Sequence, residues 1–230
     1  MDDIGGGWSK VTILEPETKE FYNNYFFNGE LTHRIVIDTP KADVLSAYSL
    51  IEKGLRSTLI WLDNIKELLA EDEVGYDKEE GNRKSTSDRS KYNLIKGLFV
   101  AALTFYGKSF STCEGRRVKL EKSNLDVAFH TDHDDAIEMR HNFAAHSGAT
   151  KVEKVHVVIA LDKNQKKHTS PYFGRELGQP DSFVSEDIDT FIKLVKHAKE
   201  FADNKINTLT EKIFKDDVAS KGLKYWYEKT

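Results

Sequence analysis

The chain has 230 residues, 39% hydrophobic and 31% charged, with a net charge of −4 and a single cysteine, Cys113. The 25 aromatics (13 Phe, 9 Tyr, 3 Trp) supply enough apolar material for a real core, which excludes wholesale disorder. One cysteine excludes an intrachain disulfide or a multi-cysteine metal cage, and the acidic balance argues against a generally basic, nucleic-acid-coating protein.

Met1-Asp-Asp-Ile-Gly-Gly-Gly7 has neither a basic start nor an apolar run, so no secretory signal is expected and Gly5-Gly-Gly7 reads as a flexible tail. The longest uncharged runs, such as 97–107, are too short for a membrane span, and a cytoplasmic location follows as the expectation. Residues 17–28 read as a short helix and 31–37 as a strand. These make up an N-terminal segment, 1–37, that precedes the main body at 38–230 within one domain.

Asp38-Thr39-Pro40 is a helix entry, a capping residue followed by proline in the first turn. From Val44 to Leu69 apolar residues recur at steps of three and four, which predicts one helix of about 30 residues. Residues 71–91 are polar and read as an exposed connector. A second helix is expected over 91–113, a third over about 132–147 with Gly148 as its stop, and a fourth after Ser185 running through Ile213. Between the last two, Val155–Ala160 is β-branched and is expected to pair with 167–173 across Asp162-Lys-Asn-Gln. The predicted fold is mainly α: an up-and-down helical bundle with a small appended β-hairpin or sheet, inserted at about 151–184.

The third helix carries the strongest chemical signal. At about 100° per residue, Ala136, Ile137, Phe143 and Ala144 fall within about 60° of Arg140, while Asp134, Glu138, His141 and Asn142 take the opposite face. An arginine in the middle of an apolar stripe is expected to be paired or functional. Its guanidinium is a fork of donors for phosphate oxygens, and His146, at the edge of the stripe, can transfer protons near neutral pH. The plain alternative is a structural ion pair for Arg140 and a C-terminal helix cap for His146.

Arg140-His-Asn-Phe-Ala-Ala-His146 resembles the arginine–five residues–histidine signature of the HEPN superfamily (higher eukaryotes and prokaryotes nucleotide-binding). The resemblance covers roughly residues 38–215, although its specific part is seven residues long. It implies a helical bundle and a metal-independent endoribonuclease working as a homodimer, with RNA as substrate. Such proteins often serve toxin–antitoxin or phage-defence systems, where an antitoxin or other protein inhibitor is a further partner. By the resemblance, Arg140 would hold the scissile phosphate and His146 would act as general acid or base for the ribose 2′-hydroxyl. His141, the polar residue beside the arginine, would support them. The strand-rich stretch at 151–184 departs from the minimal superfamily fold. Some members are catalytically silent and bind RNA, nucleotide or protein instead, which is the alternative reading. No cofactor or metal is implied.

Helix geometry adds a constraint. Six positions advance about 9 Å and turn a side chain by about 240°, so Arg140 and His146 of one chain diverge. Two copies meeting across a two-fold axis would bring both pairs to one cleft, giving a composite site.

Three other groups of residues compete with this pair. His130-Thr-Asp-His-Asp-Asp135 is rich in metal-capable side chains, and His133-Asp134 is the dipeptide of HD-type metal phosphohydrolases. Its further ligands would have to come from His33 or His130 and from Asp162, at spacings that do not recommend them, whereas acids at a helix start complement its dipole. Between Arg83 and Lys122 ten Lys or Arg stand against three acids, either an RNA backbone track or a solvated face. Cys113 reads as a small inert apolar residue.

Overall fold

The computed structural model describes residues 1–70, 89–116, 118–141, 154–163, 170–178 and 185–229. The chain is helix-rich with two small antiparallel sheets. It divides into two compact units, one made of 1–45 with 207–230 and the other of 46–206.

In the first unit, strands β1 (Asp2–Gly5), β2 (Trp8–Leu14), β3 (Phe21–Phe27) and β4 (Glu30–Leu31) form an antiparallel sheet in that order. This overturns two expectations. The segment 17–28 is not a helix: Phe21-Tyr-Asn-Asn-Tyr-Phe-Phe27 pairs along its whole length with β2, from Trp8↔Phe27 to Leu14↔Phe21. Aromatic residues favour a pleated surface, and Asn28-Gly29, with φ of 48° and 84°, supplies the two left-handed residues of a tight hairpin turn into β4. Nor is Gly5-Gly-Gly7 a loose tail, because all three glycines hold positive φ in the turn between β1 and β2. The strand expected at 31–37 shrinks to the two residues of β4.

Helix α1 (Pro40–Ala70) begins where the entry signal places it. The Thr39 hydroxyl accepts a hydrogen bond from the Ala42 amide at 3.2 Å, so Thr39 is the cap and Pro40 the first helical residue. In the same unit Lys41 reaches Asp216 at 2.8 Å and Asp217 at 3.5 Å, in the segment after α4 (Ser185–Ile213). The short helix α5 (Gly222–Tyr227) follows, held by the Trp226 indole donating to the Val218 carbonyl.

In the second unit, α1, α2 (Arg89–Ser109), α3 (His130–Arg140) and α4 contribute to one apolar cluster. Ile51, Leu55 and Leu62 come from α1, Phe99, Leu103 and Tyr106 from α2, Ala136 from α3, and Phe191, Leu194 and Val195 from α4. Phe191 meets Phe99 and Tyr106 edge to face, with ring centroids 6.1 and 5.4 Å apart. The buried residues recur at three- and four-residue steps, although Leu94 and Phe105 of α2 stay exposed and α3 buries only His133 and Ala136.

Boundaries differ in informative ways. The second helix stops at Ser109 rather than Cys113, because Phe110 and Ser111 close tighter turns onto Gly107 and Lys108 carbonyls. The third starts at His130. It is described as far as His141, and the rest of the stretch expected to be helical, with Gly148, lies outside the described residues. Strand β5 (Lys154–Ala160) pairs with β6 (Tyr172–Gly178), from Lys154↔Gly178 to Ala160↔Tyr172. The described partner strand begins at Tyr172, just past Pro171, which has no amide to give to a ladder, and 167–169 of the expected strand lie outside the described residues. Among the described residues, no helix is long and apolar enough to cross a membrane.

Candidate functional site

Helix α3 lies against α2, and its exposure follows the predicted stripe. Ala136 is buried, and Ile137 and Met139 pack partly buried against the core, whereas Asp134, Glu138 and His141 are exposed. Arg140 is half-buried on the inner side, and its stem crosses α2 at Gly107. A Cβ added to Gly107 would lie 2.3 Å from Arg140 Cδ and 2.9 Å from Nε. Any side chain at 107 would force the Arg140 stem to shift. Among the described residues no acid or other acceptor engages the Arg140 guanidinium, and none of its nitrogens is both buried and unpartnered.

His146, the other half of the proposed pair, lies outside the described residues. His141 is exposed, about a quarter-turn of the helix away from Arg140.

His133 departs furthest from the sequence expectation. It is buried, with Nδ1 2.8 Å from the Tyr106 hydroxyl and its ring 4.5 Å from that of Phe110. The sequence does hold a signal for this: His133 and Arg140 are seven residues apart, which returns to within about 20° on a helix. Both therefore face α2, where Tyr106 and Gly107 receive them. Burial pushes the Tyr106 phenol well above its ordinary value, aided by Asp132. We assign the phenol as donor to an unprotonated Nδ1, which places the imidazole proton on Nε2. Burial also holds His133 below its ordinary 6.5; Asp134 opposes this and Lys122 and His130 reinforce it.

This inverts the metal reading of His133-Asp134. The two side chains part company, His133 inward to Tyr106 and Asp134 outward to an exposed ion pair with Lys122. His130 Nε2 lies 3.1 Å from the Leu125 carbonyl. Among the described residues, no three His, Cys, Asp or Glu side chains are grouped to hold a metal ion.

Buried His133 makes stability depend on pH. The folded state binds its proton more weakly than the unfolded chain, so this group's contribution to stability is present above about pH 6.5 and is lost as pH falls from there toward the depressed folded value. Urea midpoints should drop between pH 7.5 and 5.5, and drop less in His133→Gln, whose amide oxygen can still accept from Tyr106. Parallel pH profiles for the two proteins would contradict this.

The basic run is partly committed to local structure. The Arg116 guanidinium donates to the Lys108 and Ser111 carbonyls at the end of α2 and touches Cys113 Sγ at 3.6 Å. Lys119 meets Glu121 at 3.3 Å and Lys122 meets Asp134. Arg83, Lys84 and Arg117 lie outside the described residues. Cys113 is part of this turn, half-buried beside Arg116.

No protein-family model matches the chain, and neither a curated protein nor a solved structure was found to match it.

Proposed function

We propose that the chain is a metal-independent endoribonuclease of HEPN type, whose helices form that superfamily's up-and-down bundle and which cleaves RNA as a homodimer. The observation that supports this reading is Arg140. An arginine laid across a glycine of the neighbouring helix, with no described carboxylate engaging it, brings a planar fork of phosphate donors to the seam between α2 and α3.

In this mechanism the guanidinium grips the scissile phosphate with two parallel N–H···O bonds and stabilises the charge that builds on it. His146, from the second copy, takes the proton of the ribose 2′-hydroxyl. The 2′-oxygen forms a bond to phosphorus as the bond to the 5′-oxygen breaks, and that oxygen leaves with a proton from an acid in the site. The products are a 2′,3′-cyclic phosphate and a 5′-hydroxyl. A role in toxin–antitoxin or phage defence belongs to the same proposal. Incubating the purified protein with RNA in EDTA tests it: cleavage should persist and leave cyclic-phosphate ends, whereas activity abolished by chelation and restored by a metal would overturn it.

A further inference from the structure

The β5–β6 ribbon has two unlike faces. On one, the Tyr172 ring folds over Gly174, which is buried; a Cβ on that glycine would lie 2.6 Å from the ring. That face is partly closed by its own tyrosine and also carries the exposed polar pair His156 and Glu176. On the other, Val155, Val157 and Ile159 alternate along β5, with Phe173 opposite Ile159 across the register and Leu161 next in the alternation. These five are 59–71% exposed. The only charge on the described part of this face is Arg175, opposite Val157.

A two-stranded ribbon is at best marginally stable in water by itself, and one with an open apolar face gains most from being covered. We infer that this face is a dimer surface, packing on the same face of a second copy of the chain. The five side chains expose on the order of 500 Å² per copy, so two copies covering them fully would bury about 1,000 Å², the threshold a specific interface has to reach and the size of a weak, reversible one. The chemistry selects the partner. A nucleic acid would find one cation among five hydrocarbon side chains, whereas a second copy offers a matching apolar face. A two-fold arrangement needs only that self-match. Val157 sits mid-strand near the axis, and the Arg175 stem can carry its head to the rim. The nuclease reading also calls for a dimer, but this surface is defined without reference to Arg140 or to RNA.

Sedimentation without RNA tests it. The wild type should run at twice the chain's 26.3 kDa. Val157→Lys should weaken association by at least about 100-fold, since it sets two like charges face to face. Glu176→Lys, on the closed face, should stay dimeric. If Val157→Lys fails to fold, disulfide trapping decides instead. In a Cys113→Ser background, Val157→Cys should cross-link across the axis under oxidation, and His156→Cys, on the closed face, should not. A wild-type monomer, a Val157→Lys dimer, or equal cross-linking from both faces would overturn the inference. If the dimer is intact but RNA is not cut, the nuclease reading fails and this surface stands.

Discussion

Replacing Arg140 with alanine should cut RNA cleavage by about 10²–10³-fold, the usual cost of removing one donor to developing charge, and should leave the fold intact. On the proposed nuclease reading the loss belongs in kcat more than in KM, because the guanidinium would act on the charge that builds rather than on the first binding of substrate. Arg140→Lys should recover only part of it, since an ammonium cannot make the bidentate grip. Gly107→Ala should reproduce much of the defect from the other helix, because its methyl group would occupy the space of the arginine stem. In an Arg140→Ala background the same methyl has nothing to displace, so its effect should vanish. Single-turnover cleavage with thermal melts alongside measures all of this. Arg140→Ala that unfolds the protein as much as it silences it would point to a structural arginine.

Tyr106→Ala should destabilise the helical core severely, by about 3–5 kcal/mol. Tyr106 is fully buried, stacks edge to face on Phe191, packs on Phe110 and satisfies His133 Nδ1. Truncation leaves a ring-sized void beside a histidine that has lost its partner. Tyr106→Phe keeps the packing and removes only the hydroxyl, so it should cost about 1–2 kcal/mol. Urea denaturation separates the two, and equal costs would mean that the hydrogen bond rather than the packing carries the effect.

The helices are legible in the sequence because their apolar spacing is long and regular. α1 begins at the predicted Pro40 behind the predicted cap, and α4 runs from Ser185 to Ile213 as expected. The N-terminal sheet is hidden because Phe21–Phe27 is aromatic on both parities, with no polar alternation to mark a strand. Its real signal is the Asn28-Gly29 turn that follows. The start of β6 is marked by Pro171, not by the polar residues ahead of it, since a ladder can begin only where amides are available. At the candidate site, the inward face of Arg140 follows from helix angles alone. Its seat does not: glycine carries no periodic signal, so Gly107 becomes visible only when α2 lies beside α3. His133 is hidden by its neighbours, since five acids and histidines in the six residues from His130 to Asp135 look like surface chemistry although one of them turns into the core.

The most direct measurement follows an end-labelled RNA with purified wild-type protein and Arg140→Ala in the presence of EDTA, with the chemistry of the new 3′ ends identified. The nuclease reading predicts cyclic-phosphate ends from the wild type and almost none from the variant. RNA left whole by a correctly folded wild type, or cut equally by both proteins, would contradict it.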